Sequence, residues 1–253
     1  MTFSVPAWSL ACLMAVVAAT ATLSIKRRKT SDGDEDEEEE GVKDRTTRSS
    51  WLEPDAPPPR RILIVASSGC MGKSTLAKTV AAATGGVHLE MDDLCWTPGW
   101  QRRPPEAERK VVEEATRPES WVCAGIWGKG KELVYERCDT IVLLNHIGQM
   151  ALLARLARRC FRRCVTGEPC CGGNQESLAH TVFGKDGYVR LLWRTGLPRP
   201  HDAAGLAAHI LKLRQCAPNA RVVCLSSPKE LDAFVESLSS LSGNGSSSSS
   251  MSC

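Results

Sequence analysis

A chain of 253 residues, 42% hydrophobic and 24% charged, suits one globular domain with extra segments attached. Its formal net charge of +3 is too small to mark a nucleic-acid binder, and no nucleic-acid partner is expected. Twelve cysteines would staple a small secreted protein, but in a chain this long they read as reduced thiols of the cytosol, with Cys123 and Cys224 inside apolar runs as small core residues.

The first segment, residues 1–29, has no charged side chain from Val5 to Ile25 and then the run Lys26, Arg27, Arg28, Lys29. About 20 apolar residues span a bilayer as a helix, and a basic flank prefers the cytoplasmic side. A transmembrane anchor is predicted, with the following domain facing the cytoplasm and the membrane itself unspecified. A cleaved signal or targeting peptide competes, since Ala18 to Ala21 offers small residues, but no Lys or Arg precedes the apolar run. Residues 30–59 carry SDGDEDEEEE and APPPR and read as a disordered, extended linker. Residues 242–253, SGNGSSSSSMSC, read as a disordered tail. The foldable part is residues 60–241.

Within it, RRILIVAS is a buried strand and TLAKTVAAATG a helix stopped at Gly85-Gly86. VHLEM is a second strand, ending at Asp92-Asp93. ERKVVEEA is a helix, WVCAG and DTIVLLN are strands, and MALLARLARRCFRR is a basic helix. ARVVCLS is the last strand, and KELDAFVESL the last helix. Alternating strands and helices predict a three-layer α/β fold around a parallel sheet.

The first strand and helix are joined by ASSGCMGKST, residues 66–75. A phosphate loop aims successive backbone N–H groups at phosphate oxygens from the positive end of a helix. Its lysine reaches the β- and γ-phosphates and its Ser or Thr hydroxyl holds Mg²⁺. Gly72, Lys73 and Ser74 supply the second half, with Gly69 before them and Thr75 after. The first half has two frames. Either Ser67 stands at the first glycine position, or Ala66 does and the loop carries one extra residue such as Met71. Glycine is missing in both, although that position favours its backbone freedom.

These segments together resemble the P-loop kinases related to adenylate kinase that are often called topology modulation proteins. RILIVASSGCMGKSTLA is similar to that family's opening strand, loop and helix, and MDDLCWTPGW to its Asp followed by Trp-x-Pro-Gly-Trp. WVCAGIW, CDTIVLLN, ARLARRCFRR, GGNQESLAHTVFGKDGYVRLLWRT and VVCLSSPKELDAFVESL resemble later segments in the same order. The resemblance implies a nucleoside-monophosphate-kinase-like sheet, ATP and Mg²⁺ as cofactors, and transfer of the γ-phosphate to a small acceptor. Such chemistry is mostly positioning and charge neutralisation. Lys73 would hold the donor phosphates, Ser74 and Asp92 the metal, and Asp92 or Asp93 the acceptor hydroxyl. Arg155, Arg159, Arg162 and Arg163 would close over the phosphates. Trp96, Trp100 and Trp121 read first as core packing and second, for Trp96 and Trp100, as a stacking platform.

Three departures oppose that picture. The loop lacks its first glycine, Ala124 stands where Asp is expected before Gly125, and Asn145 replaces Asp at the end of DTIVLLN. Ile126 and Trp127 also replace a polar pair. A charged carboxylate near the loop normally helps to hold Mg²⁺. The alternative expectation is therefore a degenerate, non-catalytic nucleotide-binding or scaffold protein tethered to a membrane. A third, weaker reading is a zinc staple at Cys160, Cys164, Cys170 and Cys171, which the absence of a clean C-x₂-C pair and the adjacency of Cys170 and Cys171 oppose.

Overall fold

The computed structural model describes residues 58–177, Thr181 and 200–243, the last four by backbone alone. The expected anchor (1–29), nearly all of the linker and most of the tail lie outside the described residues, as does most of 178–199. Among the described residues, no helix is long and apolar enough to cross a membrane.

The strands are β1 (Arg61–Ala66), β2 (Val87–Glu90), β3 (Trp96–Thr97), β4 (Gln101–Arg102), β5 (Trp121–Ala124), β6 (Thr140–Leu144), β7 (Pro169–Cys170), β8 (Asn174–Gln175) and β9 (Arg221–Leu225). The helices are α1 (Lys73–Thr84), α2 (Met91–Cys95), α3 (Pro105–Ala115), α4 (Lys131–Arg137), α5 (Gln149–Thr166), α6 (Ala203–Cys216) and α7 (Pro228–Gly243). One sheet runs in the order β2-β5-β1-β6-β9, and every pairing in it is parallel. The remaining pairs, β3–β4 and β7–β8, are short antiparallel hairpins.

Continuous apolar runs such as ILIV and TIVLL are what strands covered on both faces require. In β1, Ile62 and Ile64 turn to a layer with Met71, Leu76 and Val80 of the loop and α1 and with Phe234 of α7. Leu63 and Val65 turn the opposite way, to Trp121, Cys123, Ile141, Leu143 and Leu213 of α6. Strand periodicity thus builds two cores, and the expected three-layer α/β arrangement is present. The expected stop of α1 is also present: Gly85 takes the left-handed φ of 67° and donates its N–H to the Ala81 carbonyl. Trp121 is fully buried, so it packs the core.

The sequence reading overran β2. The strand ends at Glu90, and Asp92 and Asp93 fall in the first turn of the short helix α2, where acidic side chains complement the helix dipole. They are therefore displaced from the strand end. The helices α4 and α6 carry no clear apolar stripe and were not anticipated; α6 starts where the Asp202 carboxylate caps the Gly205 N–H at 2.8 Å.

The two hairpins dock on each other over the carboxyl edge of the sheet. Asn174, buried, accepts the Trp100 N–H at 2.7 Å and donates to the Thr97 carbonyl at 2.9 Å. The Trp100 Nε1–H reaches the Gln175 carbonyl at 3.3 Å, and the Gly172 N–H reaches Asp93 Oδ1 at 2.8 Å. Gly172 has φ 74°, and a Cβ there would run into the Trp96 carbonyl, so only glycine fits.

Replacing fully buried Leu144 by Ala is expected to destabilise the protein by about 2–5 kcal/mol. Phe161→Ala, at a side chain 39% exposed on α5, is expected to change stability by less than about 0.5 kcal/mol. Urea unfolding of the two variants checks the contrast.

Candidate active site

The chain leaves β1, visits the edge strand β2, returns to β5 beside β1, and only then crosses to β6. That reversal opens a crevice at the carboxyl ends of β1, β5 and β6, where open α/β sheets bind ligands. Residues 67–72 fill it. The Ser67 N–H donates to the Leu144 carbonyl at 3.0 Å, which ties the start of the loop to β6. Met71 is fully buried in the α1-side core. The residue that one reading of the sequence treated as an insertion is thus the apolar anchor of the loop, and the frame beginning at Ser67 describes its geometry.

Gly72, with φ 93°, opens α1. The other left-handed residue of the loop is Cys70, with φ 60°, while Gly69 one place earlier lies outside that region. The conformation that glycine adopts freely is therefore taken by a cysteine, at roughly 1–2 kcal/mol. Cys70 packs against Leu156 and Cys160 of α5, and its Sγ lies 3.9 Å from Arg159 Nη1. The first N–H groups of α1 have no partner within the helix and make an anion site of the loop.

Lys73 is half-buried at the start of α1, with Gly125 against its side chain. Burial lowers the Lys73 pKa below its ordinary value; the Asp92 carboxylate opposes this and the Arg159 guanidinium adds to it. The Ser74 hydroxyl donates to Glu90 Oε2 at 3.1 Å, and Glu90 Oε1 lies 3.1 Å from His88 Nε2. Burial raises the Glu90 pKa, with the Ser74 hydrogen bond and His88 pulling the other way.

Glu90 is the candidate site residue that sequence reasoning missed. In the parallel register it pairs with Ala124, so a carboxylate is present one strand away from the place where the resemblance predicted one. The signal was a polar residue closing the strand VHLE, but Asp92-Asp93 immediately after it drew the assignment.

Of those two, Asp92 accepts the Trp127 Nε1–H at 2.8 Å and lies close enough to influence Lys73. Asp93 holds the β7–β8 hairpin instead. Asn145 has a structural use: it donates to the His201 carbonyl at 3.1 Å and accepts the His201 N–H at 2.9 Å. An ionised Asp has no N–H to give and would break that clamp.

The arginines divide. Arg159 reaches the loop. Arg155 and His146 line a groove of about 710 Å³ with Gly72, Thr75, Thr79 and Asp232. Arg162 pairs with Glu168 at 2.8 Å on the surface, and Arg163 with buried Glu176 at 2.9 Å, so both lean toward the β7–β8 hairpin. Trp96 meets Trp100 and Trp127 at centroid distances of 5.9 Å. The Arg102 guanidinium lies 4.7 Å from the Trp127 ring centre and 6.0 Å from that of Trp96. The chain's own arginine thus sits over Trp127 and near Trp96, one of the two rings suggested for a base.

Among the described residues, no group of three or more His, Cys, Asp or Glu is placed to hold a metal. The four cysteines weighed as a zinc staple have other neighbours. Cys160 is buried beneath the loop, Cys164 meets the Thr181 hydroxyl at 3.7 Å, and the buried Cys170 thiol points to Glu176 Oε1 at 4.0 Å.

No family model and no curated protein matches the sequence. Among solved structures, the chain is similar to a shikimate kinase from Bacteroides thetaiotaomicron, with 16% identity over 72% of this chain and 98% of that one and a TM-score of 0.35. It is also similar to a gluconokinase from Sinorhizobium meliloti 1021, with 17% identity over 76% of this chain and 99% of that one and a TM-score of 0.33. The sheet order and the strand–loop–helix unit define this chain as an α/β protein with a five-stranded parallel sheet and a P-loop-like turn between β1 and α1.

Restoring the expected acid by Asn145→Asp is expected to destabilise the protein at neutral pH by about 1–3 kcal/mol. A carboxylate facing the His201 carbonyl has a raised pKa in the folded state, so the folded state binds the extra proton and the deficit shrinks as pH falls. Urea midpoints of variant and wild type at pH 4 and pH 7 check both the loss and its sign.

Proposed function

We propose that this chain is a phosphotransferase of the adenylate-kinase-related group that includes the topology modulation proteins, moving the γ-phosphate of ATP to a small acceptor such as a nucleoside monophosphate. The observation that carries this reading is the Ser74 hydroxyl meeting the Glu90 carboxylate at 3.1 Å beside Lys73, at the open end of α1. Two hard oxygen donors at that place suit Mg²⁺, which neutralises charge on the phosphate oxygens when bound. Ser74 and Glu90 would hold it, with Asp92 in support.

The loop N–H groups from Gly69 to Thr75 would cradle the phosphates, with Lys73 and Arg159 supplying positive charge. The groove flanked by Thr75, Thr79, His146 and Arg155 offers the nucleoside a place on the α7 side. Asp92 is the candidate to orient the acceptor. Arg162 and Arg163, on their ion pairs, act at most by steadying the β7–β8 hairpin. The N-terminal apolar segment would tether the domain to the cytoplasmic face of a membrane.

A second reading, a nucleotide-binding scaffold without turnover, is favoured by one feature: Asp93 and Asn145 serve as structural clamps. The full-length protein in detergent or nanodiscs, given ATP, Mg²⁺ and a panel of nucleoside monophosphates and small alcohols, separates the readings. Acceptor-dependent ADP release is expected, falling at least about 100-fold in Glu90→Gln and vanishing in Lys73→Ala. Mg²⁺-dependent ATP binding without turnover would establish the scaffold, and unaltered turnover in Glu90→Gln would overturn the metal role.

A pH dependence follows from Lys73. Its ammonium must be charged to hold phosphate, and burial has lowered its pKa. ATP affinity is expected to fall with rising pH before the ordinary lysine value of 10.5 is reached. Titration calorimetry across alkaline pH reads this, and a flat profile would show that the lysine does not bear on binding.

A further inference from the structure

Cys70 sits where a side chain is strained, at φ 60° in the middle of the loop, although Gly69 is adjacent. Its thiol packs against Leu156 and Cys160, which lie one turn apart on the same face of α5. Cys160 is 3% exposed, whereas Cys70 is half-buried and reachable from outside. Both are free thiols here. Two other cysteines of this region have neighbours elsewhere, Cys164 at the Thr181 hydroxyl and Cys170 at Glu176 Oε1.

We propose that Cys70 and Cys160 form a reversible dithiol switch, in which a peroxide joins them and clamps the phosphate loop to α5. The accessible Cys70 sulfur attacks one peroxide oxygen; the O–O bond breaks, Cys70 becomes a sulfenic acid, and hydroxide leaves to take up the displaced proton as water. The Cys160 sulfur then attacks the sulfenic sulfur. An S–S bond forms, the S–O bond breaks, and the departing hydroxide takes the Cys160 proton, giving a second water. Two thiols are oxidised by two electrons, and one peroxide is reduced to two waters. Burial pushes the Cys160 thiol up to about 12, so it waits as the neutral, resolving partner while Cys70 meets the oxidant.

The consequence is mechanical. A disulfide needs its Cα atoms within about 4.4–6.8 Å of each other. That bond holds α5 down on residue 70 and fixes Arg159, whose Nη1 already lies 3.9 Å from the Cys70 sulfur, at the place where phosphates would enter. The loss of nucleotide binding rests on the function proposed above; the bond itself does not.

The test treats full-length protein with hydrogen peroxide, digests it with trypsin without reduction, and measures ATP binding in parallel. Cleavage after Arg61, Lys73, Arg159 and Arg162 isolates residues 62–73 and 160–162. The expected product is these two peptides joined, released by dithiothreitol, with ATP binding lost on oxidation and regained on reduction. The joined product is expected to persist in Cys164→Ala and to be absent in Cys160→Ala, which should bind ATP in the reduced state as wild type does. Cys70 left unmodified, paired elsewhere, or carried directly to sulfinic acid in the wild type overturns the switch. A joined product in a protein that never binds ATP upholds the bond and removes the nucleotide reading instead.

Discussion

The register in which β5 lies between β2 and β1 governs the site. Glu90 of β2 is level with Ala124 of β5, which is level with Ile64 of β1. Residues paired in this way point to the same face, and Ala124 and Ile64 both join the core beneath α1. Neighbouring strands stand about 4.8 Å apart, and from that level the Glu90 carboxylate meets Ser74 on α1 at 3.1 Å. An Asp at 124, level with Glu90 and on the same face, would set two carboxylates near each other, which like-charge repulsion disfavours. An apolar residue at 124 is therefore compatible with an acid at 90.

The opposite wall depends on a buried charge. Glu108 of α3 is 1% exposed, and its Oε1 accepts the N–H groups of Lys129 and Gly130. Two N–H donors converging on one carboxylate oxygen shielded from water make a firm anchor. They fix the turn after β5, and that turn carries Trp127, whose indole N–H is held by Asp92. Arg102 lies across Trp127 and 3.8 Å from the other Glu108 oxygen, joining the β3–β4 hairpin to the same anchor. Through Asn174 and Trp100 that hairpin holds β7–β8, so the closure over the site continues a network that begins at Glu108.

The sheet was legible in the sequence because its strands are short unbroken apolar runs bounded by polar or glycine-bearing turns, and α1 because it follows a recognisable loop and stops at Gly85. The helix α6 was illegible for a definite reason. AAGLAAHILKLRQC spreads its apolar residues around the axis, and only Leu213 is buried within it, so no stripe marks a face. The two-residue strands of the hairpins are too short to show a period, and what places each hairpin is its contact with the other, more than seventy residues away. At the site, Lys73 and Ser74 were readable from local spacing. Glu90, the Asn145 clamp and the Met71 anchor were not, because each acts through strand register or through the opposite wall of the core.

Those three residues bear on what the departures from the phosphate-loop pattern mean. At these positions the polar groups have partners and the apolar one is packed: Asn145 satisfies both backbone groups of His201, Glu90 has Ser74 and His88, and Met71 fills the core below the loop. Within the loop, Cys70 keeps a local strain. Strain that persists in the middle of a binding loop, beside a glycine able to relieve it, is the kind that function retains, which makes that cysteine the position where binding and regulation would meet.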